Sequence, residues 1–121
     1  MLETGRDGES LMCIFCKIIA GDFGTEFLYE DESVVAFRDL APQAPTHILV
    51  IPRSHCENVD QLAASEPSTL AKLFQVATLL AQREGLDGHR TIFNTGESAG
   101  QSVFHAHLHL LGGRSFAWPP G

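Results

Sequence analysis

Three of the six histidines in this chain fall in one short run, at His105, His107 and His109. In an extended strand, residues i, i+2 and i+4 share a face, so this spacing predicts a row of imidazoles with Ala106, Leu108 and Leu110 on the opposite side. Stacking three such side chains leaves many polar nitrogens to satisfy, which argues against a purely structural role. Two kinds of chemistry compete for the row. One is a multi-histidine metal site, and the other is a nucleophilic histidine whose neighbours supply orientation and positive charge.

The segment just before the row favours the second. Asn94 to Ser102 reads NTGESAGQS, and its glycines can bring backbone N–H groups close to an anion while Ser102 offers a hydroxyl donor. A glycine-rich loop alone is a weak signal, but beside three aligned histidines it points to phosphoryl or nucleotidyl transfer through a covalent histidine intermediate. A second cluster of candidates lies at Cys13 and Cys16, spaced C-x-x-C. With three cysteines in all, that spacing suits metal or redox chemistry better than a disulfide framework.

These residues need elements to hold them. Ile14, Phe15, Ile18 and Ile19 recur at helical spacing and Gly21 stops the run, predicting a short helix. Phe27 to Glu30 and Val34 to Arg38 predict a hairpin, and His47 to Ile51, closed by Pro52, a buried third strand. Ser65 and Gly85 bracket a long helix with an apolar stripe through Leu70, Leu73, Phe74, Ala77, Leu80 and Ala81. Val76 and Leu79 widen that stripe, which suits either a monomer core or a second copy of the chain. Arg90 to Asn94 and Val103 to Leu111 complete a five-stranded antiparallel sheet in an α+β fold with one long and one short helix.

The remaining composition narrows the field. A chain of 121 residues with 44% hydrophobic and 19% charged residues fits one domain, expected over residues 13–121 behind a flexible arm at 1–12. Eight Lys and Arg against 15 Asp and Glu give a net charge of -7, which argues against a grip on nucleic-acid polymers and leaves single nucleotides open. No apolar stretch is long enough to span a bilayer and the first ten residues lack a signal-peptide pattern, so a cytoplasmic location without membrane partners is expected. Cys56, His89 and Lys72 carry no motif and are read as surface or packing residues.

The run His105-Ala106-His107-Leu108-His109-Leu110-Leu111 resembles the signature of the histidine-triad superfamily. The resemblance extends to its Hint branch through IFCKIIAG, DLAPQAPTHILVIP, NTGESAGQSVFHAHLHLLGGR and WPPG, and so covers nearly all of the chain from Cys13. It implies a homodimeric purine nucleoside phosphoramidase that cleaves the P–N bond of adenosine 5'-phosphoramidates, with no cofactor required for catalysis. His107 then corresponds to the nucleophile, and His109, Asn94, Gly100, Gln101 and Ser102 to the phosphate-binding set, with Ser102 near the leaving amine. His105 and His47 correspond to supporting histidines, Asp39 to the ribose ligand, and Ile14, Phe15, Ile18, Phe37 and Leu40 to the base pocket. Trp118 corresponds to a residue that reaches the neighbouring subunit's site.

Two other functions stay open on sequence alone. One is a dinucleoside polyphosphate hydrolase of the Fhit type, against which the WPPG ending argues, and the other is a non-catalytic purine-nucleotide-binding regulator. The C-x-x-C pair departs from many Hint sequences. Cys13, Cys16, His55 and His105 could close a Cys2His2 set for structural zinc; free buried thiols or redox chemistry are the other readings.

Overall fold

The computed structural model of the chain describes residues 12–121. The arm expected over 1–12 lies, except for Met12, outside the described residues. The elements are α1 (Ile14–Ile19), β1 (Tyr29–Glu30), β2 (Val34–Arg38), β3 (Thr46–Pro52), α2 (Val59–Ser65), α3 (Pro67–Arg83), β4 (His89–Ile92) and β5 (Leu108–Gly112), with a 3-10 turn at Glu97–Ala99. The strands form one five-stranded antiparallel sheet in the order β1-β2-β3-β5-β4. The α+β architecture is as expected. No helix among the described residues is long and apolar enough to cross a membrane.

Strand β3 is buried along its whole length because both faces of the sheet are covered. On one face Val34, Ala36, Ile48, Val50, Leu108 and Leu110 pack with Leu62 of α2 and Leu73, Val76, Ala77 and Leu80 of α3. On the other, Val35, Phe37, Leu49 and Ile51 pack against Phe15 of α1. Period-two alternation therefore sends His47, Leu49 and His109 to the α1 side. The register pairs Leu49 with His109 and His47 with Leu111, which brings His47 and His109 within diagonal reach.

Three expectations need correcting. Strand β5 starts at Leu108 rather than Val103. Pro52 has no N–H to extend the ladder, its carbonyl accepts from His105 Nε2 at 2.9 Å, and the Ala106 N–H turns to Cys56 O at 2.7 Å. His105 and His107 thus precede the strand, although Ala106, Leu108 and Leu110 still face the opposite core.

The long helix begins at Pro67, not at a Ser65 cap. Ser65 ends the separate helix α2, which sequence reading missed, and its hydroxyl donates to Gln61 O. Asn58 caps α2 by accepting from the Gln61 N–H at 2.9 Å. Finally, Val76 is only 3% exposed in a single chain, so it belongs to the monomer core and gives no argument for a second copy. Leu79 is half-buried.

After β5 the chain turns at Gly113, with φ +91°. A Cβ there would lie 2.8 Å from Pro45 Cβ, in the loop that leads from Asp39 to β3. Gly113→Ala is therefore expected to cost about 1–3 kcal/mol in urea denaturation. Gly88→Ala, with open space and no positive φ, should stay within about 0.5 kcal/mol of the parent.

Candidate active site

The imidazole row is held by backbone carbonyls. A carbonyl only accepts, so His105 Nε2–H donates to Pro52 O at 2.9 Å and His107 Nδ1–H donates to His105 O at 2.8 Å. In neutral His107 the remaining lone pair is on Nε2, the atom a nucleophile needs. Phe15 sets the ring planes by edge contacts to His105 and His107 at 5.8 and 5.0 Å between centroids.

A second chain of bonds orients His109. The Gln43 N–H donates to His47 Nδ1 at 3.0 Å, which makes His47 Nε2 the proton-bearing atom, and that atom lies 2.9 Å from His109 Nδ1. His109 then carries its proton on Nε2. This buried nitrogen has no hydrogen-bond partner among the described residues. Asp39 Oδ2 lies 3.4 Å from His47 Nε2, and Asp39, His47 and His109 come within metal-holding distance. The Gln43 amide argues for a hydrogen-bonded chain instead, since a ligating His47 Nε2 would have to lose its proton while Nδ1 still faced a donor.

All four rings are biased towards the neutral form. Burial, then the nearby His107 and His47, pushes His109 down to about 4, and burial likewise takes His105 to about 4. Burial lowers His107 against the opposing pull of its bond to the His105 carbonyl, and lowers His47 against Asp39.

These groups open onto a cavity of about 300 Å³. Its lining unites Ile14, Phe15, Ile18, Phe37 and Leu40 with Asp39, Ser102, His107 and His109, nine of the residues singled out in the sequence. The structure adds Thr25, Arg38, Leu49 and Val103. Leu49 was within reach of sequence reasoning, because it shares the His47 side of β3 by parity.

The other expected binding residues stand apart from this lining. Gly100 follows the 3-10 turn with φ +97°, the conformation expected of a glycine in such a loop. The Gln101 side chain is buried and occupied: its amide donates to Glu57 O and Val103 O at 2.8 and 3.1 Å, and its oxygen accepts from the Gly96 N–H at 2.9 Å. Its side chain shapes the loop that carries Ser102. Asn94 and Trp118 instead line a separate cavity beside β4 with Arg90 and Phe93, and Trp118 is 82% exposed.

Behind the row, Cys13, Cys16, His55 and His105 offer ligand atoms all within 4.8 Å of one another. The sulfur–nitrogen separations are 3.4 Å for Cys13–His105, 3.4 Å for Cys16–His55 and 3.6 Å for Cys16–His105. Zinc bonds of about 2.3 Å to sulfur and about 2.0 Å to nitrogen in a tetrahedron require edges of about 3.5 Å, so the donor set fits. The Pro52 carbonyl satisfies His105 Nε2–H and leaves Nδ1 facing the thiols, as a ligand requires.

The fold and the site define the class of protein, and comparison agrees. A family model described as "HIT domain" matches residues 21–116, and this chain belongs to that family. It is 46% identical over 103 residues to the purine nucleoside phosphoramidase of Escherichia coli K12, covering 84% of this chain and 87% of that protein. It is 50% identical over 112 residues to a 14 kDa zinc-binding protein of Zea mays, covering 89% and 87%. Among solved structures, a HIT family hydrolase from Legionella pneumophila superposes with a TM-score of 0.85 at 46% identity, over 90% of this chain and 99% of that one.

The depressed His109 has a thermodynamic signature. Its unfolded form titrates near 6.5 and its folded form near 4, so between these values the unfolded chain binds more protons. Its contribution is therefore complete above about pH 6.5 and lost progressively as the pH falls to about 4. Unfolding free energies of parent and His109→Gln, measured across this range, should differ with that slope.

Proposed function

We propose that this chain hydrolyses the P–N bond of purine nucleoside 5'-phosphoramidates through a nucleotidyl-histidine intermediate. The observation that carries the reading is the pairing of His107, whose Nδ1–H is held by the His105 carbonyl, with a buried and unsatisfied His109 Nε2–H on the same cavity wall. The apolar lining from Ile14 to Leu40 suits a stacked purine, and the Asp39 carboxylate suits the ribose hydroxyls. Similarity to the Escherichia coli phosphoramidase supports the substrate class.

His107 Nε2 forms the bond to phosphorus while the P–N bond breaks. The amine leaves with that electron pair and takes a proton from solvent water beside the Ser102 hydroxyl. His109 Nε2–H and Ser102 donate to the phosphoryl oxygens as charge shifts onto them. Water then attacks the phosphorus and gives a proton back to solvent, AMP departs as the P–N bond to histidine breaks, and His107 Nε2 regains its lone pair while Nδ1–H stays hydrogen-bonded to His105 O. Gly100 and Gln101 are assigned to the same phosphate loop, the latter through its backbone and the side-chain bonds that close the loop carrying Ser102, while Asn94 begins that loop but lines the cavity beside β4.

The active form is read as a homodimer acting in the cytoplasm. An exposed Trp118 in an apolar, proline-stiffened ending suits contact with the partner's site. Cys13, Cys16, His55 and His105 would hold a structural zinc ion, which supplies a crosslink between the first helical turn and the histidine row. Catalysis itself draws on histidine and neutral donors.

His107→Ala is expected to abolish turnover of a fluorogenic adenosine phosphoramidate, a loss of more than about a thousandfold, while AMP binding measured by calorimetry persists. A covalent AMP adduct trapped on another residue would overturn the assignment. Protein purified without added metal should contain about one zinc per chain, and Cys13→Ser with Cys16→Ser should lose both the metal and several degrees of Tm.

A further inference from the structure

His109 can offer its Nε2 proton to an anion only if its Nδ1 remains an acceptor. That condition depends on His47 donating, and His47 donates because the Gln43 N–H occupies its Nδ1 at 3.0 Å. The adjoining peptide unit, which carries the Gln43 carbonyl, is itself gripped by Arg114. Arg114 Nε and Nη2 both donate to Gln43 O, at 3.3 and 3.1 Å, while Nη1 donates to Ser115 O at 3.1 Å. The guanidinium lies 4.3 Å from the Phe116 ring centroid, so a cation–π contact fixes the clamp in turn.

We propose that Gln43 and Arg114 are positioning residues for anion recognition, in which Arg114 holds the Gln43 carbonyl, and through it the backbone on the C-terminal side of the Gln43 Cα, while the Gln43 N–H on the other side sets the tautomers that aim His109 Nε2–H into the cavity. Neither side chain lines that cavity. The inference rests on reading the cavity as a phosphate site, but the tautomers themselves can be observed without nucleotide.

The alternative state is well defined. If the backbone around Gln43 loosens, His47 can also carry its proton on Nδ1 and accept at Nε2, in competition with the Nε2–H form that Asp39 Oδ2 favours at 3.4 Å. His109 then donates from Nδ1 and presents a lone pair to the phosphate, which repels it. The titratable groups facing His47 are Asp39 from the loop after β2, His109 from β5 and His107 behind it. Protonation of a released His47 restores an Nε2–H whatever Gln43 does. The defect caused by losing the clamp must therefore be largest at alkaline pH and shrink as the pH falls, a pattern that a general loss of packing would not produce.

The test combines imidazole nitrogen NMR of 15N-histidine-labelled protein with AMP affinity between about pH 6 and 8.5. The parent should show Nε2–H tautomers at both His47 and His109. Arg114→Ala should show mixed tautomers at both, with AMP affinity reduced about tenfold at the alkaline end and recovering towards pH 6. Arg114→Lys, able to place one donor on the Gln43 carbonyl, should fall between. Parent tautomers in Arg114→Ala, or an affinity loss equal at every pH, would overturn the proposal. A parent protein that does not bind AMP would overturn the phosphate reading, while the tautomer comparison would still decide the clamp.

Discussion

The site turns on one fully buried imidazole, His105. Its Nε2–H is spent on Pro52 O, its carbonyl receives the His107 Nδ1–H, and its Nδ1 faces the thiols of Cys13 and Cys16. A buried ring must satisfy both nitrogens or pay several kcal/mol, and here each satisfied bond fixes another part of the site. The bond to Pro52 ends the β3–β5 ladder. The bond from His107 selects the tautomer with a free Nε2. The thiol side brings in α1, whose Ile14 and Phe15, lying between the two cysteines, become cavity wall. His107, the cavity wall and the candidate metal ligands therefore share one fixed point.

Burial then determines the charge of the site. Taking four imidazoles out of water penalises the imidazolium form of each, and crowding compounds the penalty because His107 and His47 both disfavour a charge on His109. Neutral rings must each choose where the single proton sits. The fold makes that choice with backbone groups: two carbonyls for His105 and His107, and one amide for His47. Side-chain partners have rotamers of their own to fix, whereas these main-chain groups are placed by the path of the backbone.

The sequence made some of this legible and hid the rest. Period two was enough to place His105, His107 and His109 on the side opposite Ala106, Leu108 and Leu110, and this remains true even though the strand is shorter than expected. Its late start at Leu108 depends on Pro52, which lies far away in the chain and whose effect appears only once β3 and β5 are paired. Helix α2 was missed because its seven residues contain a single fully buried side chain, Leu62, too few to show a period. The resemblance assigns Gln101 to the phosphate-binding set, and no period or spacing in the sequence shows that its side chain is engaged in closing the loop on itself. Gln43 gave no signal at all, since it acts through the one chemical group that every residue but proline shares.

On the proposed phosphate reading, an anion in this cavity meets little free positive charge among the described lining residues. Arg38 is the Lys or Arg side chain among the described lining residues, and Glu84 holds it at 2.9 Å. The side-chain donors left for an anion are neutral: His109 Nε2–H and the hydroxyls of Ser102 and Thr25. Neutral donors stabilise a phosphoryl group less than an ammonium would, but they do not fall away with pH or salt over the physiological range. They also bind a departing mononucleotide less tightly. For a reaction that needs charge stabilised briefly at phosphorus and the product then released, aimed dipoles in a buried wall answer both demands better than a lysine would.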